Sequence, residues 1–473
     1  MQLKHEGART HQAFDEQHVV ASAGLVPVMG LAQRCGLDRL VADRVKIGSS
    51  ARPQVKGNPG VNPAGKITSV VAGMAAGADS IDDMELVRAG GMGRVFGGVY
   101  APSSLGSHLR AYDWGNACQL EQASRGLVGE LVAHSPALSG ADRVCYVDVD
   151  DMRRRVFGHA KEGVGFGVCK VGGYQVKLRN LNPLLGTIST PTSAPLVATT
   201  RLRGGKAGSA RGAASFVTET INVARSAGAD GLAIVRADSA FYNHKVVDAC
   251  QRAGARFSIT APADAAVQRA IAGIAASAWT PIKYPQAVFD EQAGQWISDA
   301  EVAECSFTAF ASTDQPVSAR LIVRRVRARN ELAAAGQDEL MPAWRYHAIF
   351  TDSPMPLLEA ETCHRAHAII EQQNADLIDG PLAHLPSGSF AANAAWLSCA
   401  AMCHNLLRAA GALASTFHAK ARGATIRRQL INIPARLARK GRGHIRLHLP
   451  DAWPWQTAWT TLFNAACRPA APA

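Results

Sequence analysis

Two apolar stretches of this chain end in acid. Arg143-Val-Cys-Tyr-Val-Asp-Val-Asp150 runs through Asp148 and Asp150 into Asp151, and Gly231 to Ala237 runs into Asp238. Both are β-branched enough to read as strands. If the strands are neighbours in one sheet, Asp150 and Asp238 come within a few ångströms, where like charges require a cation or a shared proton. Oxygen donors of this kind favour Mg²⁺ or Mn²⁺. Side chains alternate along a strand, so Asp148 and Asp150 share a face and Asp151 points away. Spacing alone leaves either of the first two as the ligand.

The elements that must position these acids follow from periodicity. Up to about Ala141 the chain reads as a helical module: Val19 to Cys35 and Ile67 to Gly77 carry apolar residues at helical spacing, and Leu105 to Tyr112 is a short amphipathic helix with His108 and Arg110 on its polar side. From Arg143 the order becomes mixed α/β. Strands are expected at Gly173 to Leu178, Leu196 to Arg203, Gly231 to Ala237 and Arg256 to Thr260, and helices at Ala213 to Ala227 and Asn243 to Ala253. The stretch 281–350 is strand-rich again (Cys305 to Ser312, Val317 to Val326, Trp344 to Phe350) and reads as an inserted β-domain. A helix from Leu357 through Glu371 and an Ala-rich helix from Phe390 to Leu413 follow. This gives a helical module over 1–141, a core over 142–280 and 351–415, a β-rich insertion over 281–350, and a basic region over 416–473.

A chain of 473 residues with 47% hydrophobic and 19% charged residues has the balance of a folded protein rather than a disordered one. The formal net charge of +12 favours a polyanionic partner such as nucleic acid. From His418 to Arg446 the basic residues Lys420, Arg422, Arg427, Arg428, Arg436, Arg439, Lys440, Arg442 and Arg446 occur without one acid, a block that is either a solvated face or a phosphate contact. In the β-rich stretch, alternation would present Arg325, Arg327 and Arg329 to a phosphate backbone, and a plain solvated edge strand is the competing reading. The 10 cysteines are scattered without a CxxC pair, which argues against zinc and suits a reducing cytoplasm. No apolar run reaches bilayer length. The glycine string Arg203-Gly-Gly-Lys206-Ala-Gly208 lacks the Gly-Lys-Ser/Thr of a phosphate loop.

Several strings together resemble an insertion-sequence transposase of the IS1380 family, a relative of the IS4-like DDE transposases. They are Asp148-Val-Asp150-Asp151-Met152, Gly158 with Lys161-Glu-Gly163, Gly172-Gly173-Tyr174, Arg201-Leu-Arg203-Gly204-Gly205, Arg236-Ala-Asp238-Ser-Ala-Phe-Tyr242 and His364-Arg365-Ala-His367-Ala-Ile-Ile-Glu371. The stretches Ala75 to Arg88 and Phe390 to Trp396 carry the same resemblance. It implies a ribonuclease H-like catalytic core whose third acid sits on a helix after a β-rich insertion, which here is Glu371 beside Asp150 and Asp238. It also implies two Mg²⁺ or Mn²⁺ ions per active site, in-line phosphoryl displacement at the ends of an element and in its target, double-stranded DNA as partner, and a homodimeric synapse in the bacterial cytoplasm. Two positions depart from the pattern. Met152 stands where a Thr or Ser usually follows the first acid, and a Tyr-x-x-Arg-x-x-x-Glu signature would fall on His364 and His367, leaving Arg365 as the substitute DNA contact.

Three other functions compete. A DNA-binding regulator would need the basic helices and no carboxylate cluster. A glycoside hydrolase would need an aromatic-rich cleft, against 6% aromatics here. A degenerate element product that folds without cutting is suggested by Met152.

Overall fold

The computed structural model describes residues 11–48, 58–158, 160–171, 174–285, 287–292, 294–327, 344–439 and 444–467. Arg329 and Lys440 lie outside them, as do Gly172 and Gly173 of the string quoted above. The principal elements are α1 (Leu25–Arg34), α2 (Leu37–Arg44), α3 (Pro63–Ala76), α4 (Pro102–Arg110) and α5 (Trp114–His134), then β1 (Val144–Asp151), β2 (Gly165–Val171), β3 (Tyr174–Ser189), β4 (Leu196–Gly204), α6 (Ala213–Ser226), β5 (Leu232–Ala237), α7 (His244–Arg252) and β6 (Arg256–Thr260). The chain continues through β7 (Ala300–Ala309), β8 (Val317–Arg327), β9 (Trp344–Thr351), α8 (Leu357–Arg365), α9 (Ile369–Ile378), α10 (Phe390–Ala414) and α11 (Gln456–Cys467).

One large mixed sheet organises the molecule, in the order β4-β3-β1-β5-β6-β9-β8-β7. β1, β5 and β6 run parallel, with α6 and α7 in the connections that parallel pairing requires. The remaining pairs are antiparallel. The stretch read as a β-rich insertion does not form a sheet of its own: β9 pairs with β6, and β8 and β7 extend the same sheet outward. β7 also begins five residues earlier than the strand expected from Cys305.

Alternation sorts the central strands between two cores. Cys145, Val147 and Val149 of β1 and Ala233, Val235 and Ala237 of β5 face the main core, which runs without a break from α1 to α11. The intervening residues face α8, over a smaller core of Ile234, Val302, Ile322, Ile349, Ala360 and Cys363. The acids at the strand ends therefore point toward the α8–α9 side.

The Ala-rich α10 is buried nearly all round and packs against α5, α3, α11 and β4. Its Asn405 side chain accepts the Val197 N–H and donates to the Val197 carbonyl, both at 2.8 Å, and so closes part of the outer edge of β4. The two ends of the chain also meet. The short strand Val19–Val20 pairs with Ala435–Arg439, which pairs with Ile445–His448, and α11 packs on α1. The helical module and the basic region thus share one body. His108, expected on a polar helix face, is instead fully buried with Nδ1 2.7 Å from the Pro59 carbonyl, and burial holds its imidazole down to about 4.

Candidate active site

The parallel register of β1 and β5 sets Asp148 directly beside Arg236, and Val149 beside Ala237. Asp148 and Arg236 close a two-pronged ion pair: Nε donates to Oδ1 and Nη2 to Oδ2, both at 2.7 Å. Arg236 also donates to the Cys363 carbonyl at the end of α8 and lies 4.1 Å from the centre of the Tyr146 ring. His367 Nδ1 sits 2.8 Å from Asp148 Oδ1. Burial alone would raise the Asp148 carboxyl, but Arg236 and His367 outweigh it and hold it at about 2. Both oxygens of Asp148 are thus committed to cationic partners. This side chain ties two strands and a helix together, which differs from the ligand role left open for it by spacing.

Two residues beyond that pair, just past the last registered rung Val149–Ala237, come Asp150 and Asp238. Asp150 Oδ1 accepts the Asp151 N–H and Oδ2 accepts from Asn374 Nδ2, both at 2.8 Å. Asp238, exposed where β5 ends, accepts the Ala240 N–H at 3.0 Å and turns the chain into a single 3₁₀ turn, Ser239–Phe241. Burial first, then the Asp238 and Asp151 charges, push the Asp150 carboxyl up to about 6. Burial raises Asp238 as well, partly opposed by that N–H. Two neighbouring carboxylates that both resist ionisation, open toward solvent on one side, form a hard-oxygen pair suited to a divalent cation. Asp151 points to the opposite face, where Ser209, Asn182 and Arg203 hold it at 2.8, 3.0 and 3.2 Å.

The third candidate, Glu371, is exposed in the first turn of α9. The helix expected to run from Leu357 through Glu371 is interrupted by a 3₁₀ turn, Ala366–Ala368, between α8 and α9. Among the described residues no group of three His, Cys, Asp or Glu side chains is placed to hold one ion, so Glu371 is not brought onto the two aspartates. Two residues flanking it in the α8–α9 segment do reach the end of β1. His367, four residues before, reaches Asp148, and Asn374, three residues after, reaches Asp150. Asn374 is buried on α9 while Glu371, one turn before it, stays exposed. His364, on the same segment, bonds Ser258 and Thr260 of β6 at 2.9 and 3.0 Å. The two histidines therefore anchor the end of α8 and the 3₁₀ turn after it to the sheet.

The candidate DNA contacts divide. Arg325 is committed within the fold, paired with Glu301 at 2.5 Å and stacked between Trp279 and Trp344, 4.1 and 4.4 Å from their ring centres. Arg365 pairs with Glu361 at 3.3 Å. Arg427 packs against Gly380 with a buried Nε. Arg327, Arg428 and Arg439 are exposed. The basic block also has acid partners that its own stretch does not show: Arg422 pairs with Asp376 and Asp379 of the α9 region at 2.9 and 3.0 Å.

The glycine string has a packing explanation. A Cβ on Gly205 would meet the Asn180 carbonyl at 2.0 Å and the Gly165 nitrogen at 2.6 Å, so only glycine lets the β2, β3 and β4 backbones close there. Sequence reasoning missed the roles of Arg236, His367 and Asn374. The first had a usable signal, since Arg236 and Asp238 alternate on β5 as Asp148 and Asp150 do on β1.

No helix among the described residues is long and apolar enough to cross a membrane. A comparison with curated proteins gives no match. The family model of the transposase DDE domain, group 1, matches residues 4–468, nearly the whole chain, and brings with it DNA as partner and a general reliance on divalent metal ions. By that match, over a sheet whose adjoining strands end in paired aspartates, the chain belongs to the DDE-domain transposases of group 1.

Proposed function

We propose that this protein is an IS1380-type insertion-sequence transposase that cuts DNA at the ends of its element and joins them to target DNA, using Asp150, Asp238 and Glu371. The observation that carries the reading is the side-by-side ending of β1 and β5 at Asp150 and Asp238, two residues beyond a closed Asp148–Arg236 pair. Antiparallel β4, β3 and β1 followed by parallel β5 and β6, with helical crossovers, support a ribonuclease H-like core.

Asp150 and Asp238 would hold Mg²⁺ or Mn²⁺, two ions per site, and Glu371, which stands apart from them in the first turn of α9, would move in as the third carboxylate when DNA and ions bind. Bound there, the ions supply an activated oxygen nucleophile and charge stabilisation at the leaving oxygen of the phosphodiester. The protein's part is positional. Arg236 and His367 keep Asp148 ionised and out of competition for the cation, and through it fix β1 against β5 and the α8–α9 segment. The exposed Arg327, Arg428 and Arg439 are suited to phosphate contact, because charge at a surface attracts the DNA backbone without reading sequence. Two such chains would pair the two ends of an element, in the cytoplasm and on the DNA.

The test is the Asp238→Asn variant, assayed with DNA carrying the inverted repeats that flank its own coding sequence. It should bind that DNA as the unaltered protein does and lose Mg²⁺-dependent cleavage; undiminished cleavage would overturn the assignment.

A further inference from the structure

Asn374 lies one turn beyond Glu371 on α9, is 9% exposed, and donates its amide N–H to Asp150 Oδ2 at 2.8 Å. Its amide oxygen is buried and has no hydrogen-bond partner. A buried polar atom left unpaired costs about 1–3 kcal/mol, so such atoms are uncommon unless something else satisfies them. Other buried amide oxygens, those of Asn180 and Asn182, are also unpartnered. Asn374 differs from them because the same amide group touches a carboxylate of the candidate cation site.

We propose that Asn374 is a ligand of that site, holding Asp150 through its N–H and giving its amide oxygen to the divalent cation. This rests on the metal-site reading above and extends its donor set. Hard cations take amide carbonyl oxygens as well as carboxylates as ligands. A neutral oxygen adds a bond without adding a further negative charge to a centre that already carries Asp150 and Asp238. The Asn374 N–H holds Oδ2 of Asp150, and the Asp151 N–H holds its Oδ1. The carboxylate is thereby oriented before any ion arrives.

The experiment measures Mn²⁺ binding to the full chain by calorimetry and electron paramagnetic resonance, with no DNA and no turnover. The unaltered protein should bind Mn²⁺, and Asp238→Asn should abolish binding. Asn374→Leu should weaken binding about 10- to 100-fold, the range typical of groups that support a metal centre. Asn374→Asp, which keeps an oxygen at the position, should retain it. Thermal midpoints in EDTA show that each variant is folded; if the leucine variant is not, Asn374→Ser takes its place. Wild-type affinity in the leucine or serine variant, with binding lost in Asp238→Asn, would overturn this inference alone. Equal loss in the aspartate and leucine variants would overturn it too. Absence of Mn²⁺ binding by the unaltered protein would overturn both this inference and the metal-site reading.

Discussion

Arg236 and Asp148 face each other across two parallel strands at 1% and 0% exposure, joined by two hydrogen bonds of 2.7 Å. A pair so deeply placed is costly to break from one side, because the survivor is left charged and unsolvated. Arg236→Met alone should therefore destabilise the protein by about 3–5 kcal/mol, while the double variant Asp148→Leu with Arg236→Met should recover part of that loss. Urea denaturation measures both. A single-variant cost under about 1 kcal/mol would contradict the pairing.

The raised Asp150 carboxyl makes cation stabilisation depend on pH. Its folded value of about 6 lies above the usual 3.8, so between about pH 4 and 6 the folded state keeps a proton that the unfolded chain releases. Stability therefore falls as pH rises through that window, by about 2 kcal/mol after allowance for solvent screening. A divalent cation reverses the loss once the group is ionised. Mg²⁺ should raise the thermal midpoint clearly at pH 8 and little at pH 5, relative to EDTA; equal increments at both would count against a cation at Asp150.

His364 should impose acid sensitivity of the opposite slope. Burial first, then the neighbouring His367, hold it down to about 3, so below about pH 6.5 the unfolded chain takes up a proton that the folded one refuses. Its contribution is complete above pH 6.5 and declines as pH falls toward 3, by at most about 1.4 kcal/mol per pH unit. His364→Gln removes that titration. Urea midpoints at pH 7 and pH 5 should differ less in the variant than in the parent, and an unchanged difference would exclude His364 as the source.

Met152 is buried at 4% exposure, and its N–H donates to the Pro183 carbonyl at 2.8 Å. The residue fills the core beneath the acids, so Met152→Thr should cost about 1–3 kcal/mol through lost packing and a buried hydroxyl. It should bring no gain in Mg²⁺-dependent cleavage. A large gain would favour the view of this copy as a degenerate element product.

The parts of the fold legible in the sequence are those set by local pattern. β1, β5, α6, α7 and α10 lie close to where periodicity puts them, because each carries its own alternating or helical stripe of apolar residues. β3 was seen only in part. Its buried half, Leu181 to Ser189, shows no apolar-polar alternation, being buried on both faces, and carries Pro183, which reads as a break but is tolerated in register opposite Leu202. The joining of Val19–Val20 to Ala435–Arg439 leaves no local signature, since it depends on tertiary packing. At the candidate site, the strand-end acids are visible from sequence, whereas Asn374 is an ordinary polar helix residue until β1 is packed against it. The neutralisation of Arg422 was hidden for the same reason, as Asp376 and Asp379 lie outside the basic block.

The union of Val19–Val20 with a strand near the other end of the chain also sets a timetable for synthesis. The later partner leaves the ribosome roughly 400 residues afterwards, a wait of roughly 20–80 s at ordinary elongation rates. During that interval the first helices have no α11 to close over them, so the newborn protein carries an unfinished apolar surface until the segment that forms α11 has emerged.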